Sequence, residues 1–249
     1  MYYILWPFRL IFKIYFFLIF CLSLILLYPV LYFLLSDSRR FPIAFIVMRY
    51  HAFALLLFAG VYMKVEGKEN IPKEGAYIIC PNHSSFLDIF CLYTLFSQYF
   101  VFVGKKEIEK WPIFHLYYTS GMNILVDRHN KLGDIKALKR MTSELKNGNP
   151  LVIFPEGTIS FQAPKMVPFK AGAFSIAIKN QVPILPVTFS SNWRRLQRKS
   201  IWTSLAGPGI SKVTIHKLFI TEGLTKENVL SLQDQVYSII NQPLCSQLS

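Results

Sequence analysis

An uninterrupted apolar run near the start of the chain constrains its fold more than any other feature. Residues 14–35 form 22 consecutive uncharged positions, and a helix needs roughly 20 such residues to cross a bilayer core. Pro29 lies inside the run and can kink such a helix. The alternative is a secretory signal peptide, but the run is long for one and no small-residue cleavage site follows it. The run therefore predicts a membrane-associated helix.

A second apolar run, residues 41–63, carries Arg49 and His51 near its middle. A free transmembrane span would place Arg49 at mid-bilayer, which costs about 3 kcal/mol. A re-entrant or interfacial segment avoids this cost, because Arg49 can then reach lipid headgroups or a neighbouring domain. The second run therefore favours a segment that does not cross the bilayer freely.

Basic residues flank the first run on both sides, at positions 9, 13, 39 and 40. Under the positive-inside rule, this symmetry fits a hairpin that enters and leaves the membrane on the cytoplasmic side. A single span is the alternative. We expect residues 1–63 to form a helical anchor in the cell membrane, and residues 64–249 to form one domain on the cytoplasmic face.

The charge balance bears on the partners of the chain. Lysine and arginine total 27 against 14 acidic residues, a formal net charge of +13. By charge alone this excess suits anionic lipid or nucleic acid, and the apolar N-terminus favours membrane lipids over nucleic acid. A dense basic cluster with a tryptophan, residues 193–199, suits a headgroup boundary, with a solvated loop as the alternative. The four scattered cysteines have no metal-ligand spacing, so we expect no bound metal.

After residue 63 the pattern changes to short apolar runs, bounded by Gly, Pro and Asn, that alternate with helical stretches. The predicted strands are residues 77–80, 100–103, 122–126, 151–154, 184–190 and 212–219. The predicted helices are residues 85–96, 106–118, 131–146, 169–180 and 226–240. This alternation predicts an α/β domain with a mostly parallel central sheet flanked by helices, and a site at the strand ends.

The segment NHSSFLD, residues 82–88, contains a histidine and an aspartate that could form a catalytic pair. His83 falls in the turn between a predicted strand and helix, and Asp88 falls in the first turns of that helix. The carboxylate can fold back to hold the imidazole Nδ1–H, which leaves Nε2 as a base that activates a hydroxyl for attack on an acyl carbonyl. His129 and Asp134 repeat the spacing in a polar stretch, which we interpret as a solvated loop.

Four more blocks follow in order: GKKEIEKWP at 104–112, GMNILVDR at 121–128, FPEGT at 154–158 and VPILPV at 182–187. Together with the HX4D motif of NHSSFLD, they resemble the lysophospholipid acyltransferase family, and specifically its bacterial type of 1-acyl-sn-glycerol-3-phosphate acyltransferase. The resemblance covers about residues 65–190. Taken alone, VPILPV is a buried strand or an acyl-chain wall.

The resemblance implies the roles of the site residues. His83 would deprotonate the free hydroxyl of the acceptor, which attacks an acyl thioester directly, and Asp88 would orient His83. The block formed by Glu156, Gly157 and Thr158 would bind the acceptor. Lys105 and Arg128 match positions used around the acceptor phosphate, where charge-assisted hydrogen bonds are needed.

Some of these residues also have simpler interpretations. The sequence around Glu156 is an ordinary turn signal, and Arg128 could pair with Asp127 or Glu107. The chain departs from the family pattern at Ile159, where arginine usually follows EGT. Lys165 and Lys170 follow in the same region and could replace the missing charge.

The residues and the resemblance together imply a membrane-bound O-acyltransferase of phospholipid biosynthesis. It would move a fatty acyl group from acyl-CoA or acyl carrier protein to the sn-2 hydroxyl of lysophosphatidic acid, giving phosphatidic acid without a cofactor. One alternative is another lysolipid acceptor, such as a lyso-aminolipid, because of Ile159. A second alternative is a non-catalytic basic membrane adaptor, which leaves His83 and Asp88 without a role.

Overall fold

The computed structural model describes residues 6–106, 116, 119–127, 131–200 and 202–245. In this part of the chain one sheet contains seven strands: β1 (Val61–Glu66), β2 (Ile78–Pro81), β3 (Val101–Lys105), β4 (Ile124–Val126), β5 (Leu151–Ile153), β6 (Ile184–Phe189) and β7 (Gly209–Ile215). Their spatial order is β1-β7-β6-β2-β5-β3-β4. Neighbouring strands are parallel except β6 and β7, which are antiparallel. The predicted fold class is confirmed.

The α-helices of the described residues are α1 (Trp6–Leu35), α2 (Phe41–Phe58), α3 (Leu87–Leu95), α4 (Lys131–Lys146), α5 (Gly172–Asn180), α6 (Asn192–Arg195) and α7 (Val229–Cys245). Helix α4 has the predicted bounds, and it contains Asp134, so the assignment of this residue to a solvated loop is wrong. The predicted helix at residues 106–118 lies mostly outside the described residues.

Strand β1 is absent from the sequence prediction, which assigned residues 61–63 to the second apolar run. Helix α2 ends at Phe58, and Gly60 turns the chain with a positive φ of 63°. This left-handed conformation favours glycine, and a Cβ here would lie 2.9 Å from the Pro208 Cβ. The chain then enters the sheet at Val61, so the predicted domain boundary after residue 63 lies inside β1.

The two faces of the sheet pack against different helices, because successive residues of a strand point to opposite faces. Ile79, Phe102 and Leu185 join the buried residues of α1, α2 and α3 in one core cluster. Ile78 and Val101 join α4, α5 and α7 in the other. Both faces of the central strands are therefore covered.

The first two helices form a hairpin that packs on the domain. Ser23 Oγ and His51 Nε2 share a hydrogen bond of 2.8 Å, and the Tyr15 hydroxyl donates to the Phe58 carbonyl at 3.0 Å. In α2, Phe45 contacts the domain core, with its ring centroid 4.9 Å from that of Phe100. The hairpin therefore shares a hydrophobic core with the sheet.

Within the described residues, α1 and the segment Ser38–Phe58 are long and apolar enough to cross a membrane, by length and composition. Much of the α1 surface is exposed, and its exposed large apolar side chains include Phe8, Ile11, Leu18, Leu22, Ile25 and Leu26. A wide apolar surface of this kind usually marks an interaction site.

Candidate active site

The predicted site residues gather at one edge of the sheet. Strands β4, β3, β5 and β2 are adjacent and parallel, so their carboxyl ends meet at the same edge, where ligands of open α/β sheets bind. His83 follows β2, Glu156 follows β5, and Lys105 is the last residue of β3. The topology thus brings together three of the predicted blocks.

His83 and Asp88 form a buried pair. His83 Nδ1 lies 3.0 Å from Asp88 Oδ2, and the two residues are 8% and 0% exposed. A carboxylate only accepts hydrogen bonds, so Nδ1 carries the shared proton and Nε2 presents its lone pair. This is the arrangement of a general base held by a carboxylate.

The buried Asp88 carboxylate accepts four hydrogen bonds. Besides the imidazole, Oδ2 accepts from the backbone N–H groups of Ser84 and Ser85, at 2.7 and 2.9 Å. Oδ1 accepts from Asn192 Nδ2 at 2.8 Å. These donors offset the cost of burying the charge and fix the carboxylate that orients His83.

Asn192 is a site residue that the sequence analysis missed. It is fully buried at the start of α6, and its Oδ1 accepts from the Ser211 hydroxyl at 2.5 Å. It lies 104 positions from Asp88 along the chain. The sequence could have indicated Asn192, because it is a polar residue that follows closely after the buried strand β6. The carboxyl ends of such strands are where the site residues of open α/β sheets lie.

The His83 ring is also fixed from its face. It stacks on Phe154, with 3.9 Å between centroids and 20° between planes. The His83 carbonyl accepts from the Ser160 N–H at 2.9 Å. The loop after β5 therefore holds both the ring and the backbone of His83.

Glu156 links the loop after β2, which contains His83, to the loop after β5. It is 1% exposed; Oε1 accepts from the His83 N–H at 2.6 Å and Oε2 from the Val167 N–H at 2.7 Å. Burial raises the pKa of this carboxyl to about 7, the two N–H donors limit the rise, and the nearby Asp88 adds to it. Both oxygens contact backbone, so its predicted acceptor-binding role stays a prediction.

The rest of the FPEGT block forms a tight turn. Gly157 has a φ of 66°, in the left-handed region that favours glycine. Thr158 Oγ accepts from Arg198 Nη1 at 3.2 Å. Ile159, at the position of the expected arginine, is buried at 4% exposure. Arg198 was not among the predicted site residues.

The three basic residues predicted to contact the acceptor, Lys105, Lys170 and Arg128, lie in different parts of the chain. Lys105 ends β3 and is half-buried. Lys170 lies before α5, and its N–H donates to the Pro155 carbonyl. Arg128 lies outside the described residues, as does His129. Asp127, a suggested partner of Arg128, accepts from Lys106 Nζ at 3.0 Å.

An apolar cavity of about 300 Å³ opens beside Phe154, between the sheet edge and helices α4 and α5. Its wall is mostly hydrophobic and includes Val103, Val126, Leu138, Met141 and Ile153. Two charged residues, Asp134 and the predicted site residue Lys170, also line it. In contrast, β6, which contains most of VPILPV, is buried along its whole length and packs as a core strand.

In the described part of the chain, no group of three or more His, Cys, Asp or Glu side chains could hold a metal ion. The expectation that no metal or cofactor is needed stays a prediction. The chemistry of the pair itself is proton transfer.

Comparisons with known proteins agree on one family. The family model described as Acyltransferase matches residues 62–190. A putative 1-acyl-sn-glycerol-3-phosphate acyltransferase, acl-2, of Caenorhabditis elegans is 32% identical over 74% of this chain and 64% of its own length. The 1-acyl-sn-glycerol-3-phosphate acyltransferase of Saccharomyces cerevisiae is 33% identical over 75% and 60%. That of Helicobacter pylori is 38% identical over 51% and 54%.

The matched segments thus span between 54% and 64% of the lengths of these relatives. Among solved structures, the 1-acyl-sn-glycerophosphate (LPA) acyltransferase PlsC of Thermotoga maritima superposes with a TM-score of 0.79 at 24% identity. The alignment covers 100% of this chain and 98% of that one. At this identity the likeness supports the fold.

Proposed function

The chain belongs to the acyltransferase family, and on that premise we propose that it acylates the sn-2 hydroxyl of lysophosphatidic acid to give phosphatidic acid. The acyl donor is a thioester, either acyl-CoA or the acylated form of acyl carrier protein. The observation that carries the proposal is the buried pair of His83 and Asp88, with 3.0 Å between Nδ1 and Oδ2. The names of the similar proteins support the choice of acceptor.

The reaction needs one proton acceptor and no covalent enzyme intermediate. His83 Nε2 takes the proton of the acceptor hydroxyl as that oxygen attacks the thioester carbonyl carbon. The carbon–sulfur bond then breaks, the ester forms, and the departing thiolate takes the proton back from the imidazolium. Asp88 stabilises the imidazolium while it carries the proton.

The apolar cavity beside Phe154 supports an acyl substrate. Phe154 contacts both the His83 ring and this cavity, so a chain lying in the cavity would end close to the base. A hydrophobic wall suits a fatty acyl chain, since its burial gains about 0.8 kcal/mol per CH₂ group.

The N-terminal hairpin supports a location at the cell membrane, with the catalytic domain, whose sheet begins at Val61, on the cytoplasmic face. Helix α2 packs against the domain through Phe45, while α1 exposes its apolar side chains. A hairpin packed in this way suits one leaflet, with both ends on the same side. The substrate headgroup would then meet the sheet edge at the membrane surface.

Ile159 favours a second candidate acceptor, different from lysophosphatidic acid. Its buried side chain supplies no charge directly after EGT, which would suit a lysolipid without a phosphomonoester, such as a lyso-aminolipid. The non-catalytic adaptor is disfavoured, because it gives no role to a buried His–Asp pair with four hydrogen bonds on the carboxylate.

Acceptor competition on membranes containing the full chain tests the proposal. Lysophosphatidic acid and a lyso-aminolipid are offered together with labelled acyl-CoA, and in a separate assay with acyl carrier protein that carries a labelled acyl group. We expect labelled phosphatidic acid as the main product. Acylation of the lyso-aminolipid alone would establish the second acceptor, and no acylation beyond that of control membranes would favour the adaptor.

A further inference from the structure

We propose that Arg198 binds the phosphate of the acceptor and supplies the cationic contact that Ile159 does not. This inference rests on the proposed function, because it assigns a ligand group within the same site. Its starting point is the position of the guanidinium, which lies against the EGT turn although the two segments are 40 positions apart in the chain.

The guanidinium of Arg198 has two contacts that fix its place. Nη1 donates to Thr158 Oγ at 3.2 Å, and Cζ lies 4.7 Å from the centroid of the Phe161 ring. Arg198 is half-buried, whereas Arg194 and Lys199 in the same basic cluster are exposed. Arg198 is therefore held at the turn, unlike its exposed neighbours.

The backbone before Arg198 is fixed to the catalytic loop. The Ser85 hydroxyl donates to the Leu196 carbonyl at 2.6 Å, and Gln197 forms an antiparallel bridge with Ser85. Ser85 is two residues beyond His83, so Arg198 emerges from a segment bonded directly to the histidine loop. The other side of His83 is bonded to Ser160, two residues beyond Thr158. The base, the turn and Arg198 thus form one hydrogen-bonded unit.

The guanidinium keeps donors for an anion. Arginine has five N–H donors, and within the described residues Arg198 donates one side-chain hydrogen bond and forms no ion pair with a carboxylate. The Thr158 oxygen accepts that bond, so its own O–H remains a donor. Arg198 and Thr158 together present a planar cation and a hydroxyl, which suits the oxygens of a phosphomonoester.

Ile159 cannot take this role itself. Its side chain is apolar and 4% exposed, so it belongs to the core beneath the turn. The charge reaches the turn from the loop after α6 instead. This explains how a chain with isoleucine at this position can still accept an acceptor that carries a phosphate.

The test compares Arg198→Gln with the matched control Arg194→Gln, which also removes one positive charge but lies exposed beside Trp193. In the full chain in membranes, we expect Arg198→Gln to raise the KM for lysophosphatidic acid about tenfold or more. The KM for the acyl donor and the use of monoacylglycerol, which lacks the phosphate, should change less than twofold. Arg194→Gln should leave both KM values within twofold.

A binding measurement separates this inference from the proposed function. In the inactive His83→Ala background, lysophosphatidic acid should bind about tenfold more weakly when Arg198 is also replaced. Weaker binding with no turnover by the otherwise unaltered chain would support the Arg198 site and overturn the proposed reaction. Turnover of lysophosphatidic acid with an unchanged KM in Arg198→Gln would support the proposed reaction and overturn the Arg198 site.

Two further results would overturn the Arg198 site. One is an equal loss in Arg194→Gln, which would indicate general surface charge. The other is a raised KM for the acyl donor alone, which would place Arg198 at the thioester. If Arg198→Gln lowers the midpoint of thermal unfolding, Arg198→Lys decides: it keeps the charge without the planar fork, and its KM should lie between those of the glutamine variant and the unaltered chain.

Discussion

At the scale of single residues, the site depends on how the Asp88 carboxylate is held. Its two oxygens take four hydrogen bonds, and only one of these comes from His83. The spacing of His83 and Asp88 is local, so the sequence could predict their contact. The contribution of Asn192 depends on tertiary packing and has no local pattern, and the same is true of Arg198.

Replacing Asn192 tests this support. Asn192→Ala removes the donor to Asp88 Oδ1 and leaves the buried Ser211 hydroxyl with its weaker contact to Cys91 Sγ at 3.6 Å. We expect unfolding to become easier by about 1–3 kcal/mol and kcat to fall on the order of tenfold, since the carboxylate can then turn away from His83. Denaturant unfolding and steady-state kinetics measure the two effects.

The exposed Asp234 in α7 gives a control for this change, and Asp234→Asn should alter neither quantity. A stable Asn192→Ala variant with unaltered kcat would show that Asp88 holds His83 without help from α6.

Glu156 predicts a pH dependence of stability. Burial raises its folded pKa from the ordinary 4.5 to about 7, so between these values the folded state binds more protons than the unfolded state. Its contribution to stability is therefore fully present below about pH 4.5 and is lost as the pH rises through about 7. Glu156→Gln removes the titration.

The midpoint of thermal unfolding, measured from pH 4.5 to 8.5, checks this sign. The midpoint of the unaltered chain minus that of Glu156→Gln should fall as the pH rises to about 7 and then level off. A difference that is constant with pH would mean that the pKa of Glu156 is the same in the folded and unfolded states, because the His83 and Val167 N–H groups cancel the effect of burial.

At the scale of elements, the sequence predicted the strands that carry the site because each is a short apolar run with breakers at its ends. The prediction missed β1, because the apolar pattern of α2 continues into Val61 with only Ala59 and Gly60 between the two elements. Composition cannot show where one buried element ends and the next begins. Here the left-handed Gly60 makes that division.

The hairpin of α1 and α2 leads to a topology prediction. Since Phe45 of α2 packs against Phe100 of the domain, the turn between the helices should stay on the same side of the membrane as the sheet. Single cysteines at Tyr2, Ser38 and Lys68, in a chain with Cys21 and Cys245 replaced, should react with an impermeant reagent from the cytoplasmic side.

Labelling of Ser38→Cys from the opposite side alone would mean that the hairpin crosses the bilayer. Tyr2→Cys and Lys68→Cys on opposite sides would establish a single span. A buried control, Ala44→Cys, should stay unlabelled while the domain is folded, since Ala44 is 0% exposed.

At the scale of the whole molecule, four parallel strand ends bring residues from distant blocks to one edge of the sheet. The order of the blocks along the chain predicted this gathering, because parallel strands expose their carboxyl ends together. The order could not predict that the loop after α6 crosses back to the EGT turn. Contacts of that kind depend on how the layers pack.

The central claim is that His83 is the general base of acyl transfer to a lysolipid. The direct test is the rate of acyl transfer from acyl-CoA to lysophosphatidic acid by the full chain in membranes, for His83→Ala beside the control His129→Ala. We predict a loss of roughly 100- to 10,000-fold for His83→Ala, with unaltered membrane association, and almost no change for His129→Ala. Retained transfer by His83→Ala would contradict the account.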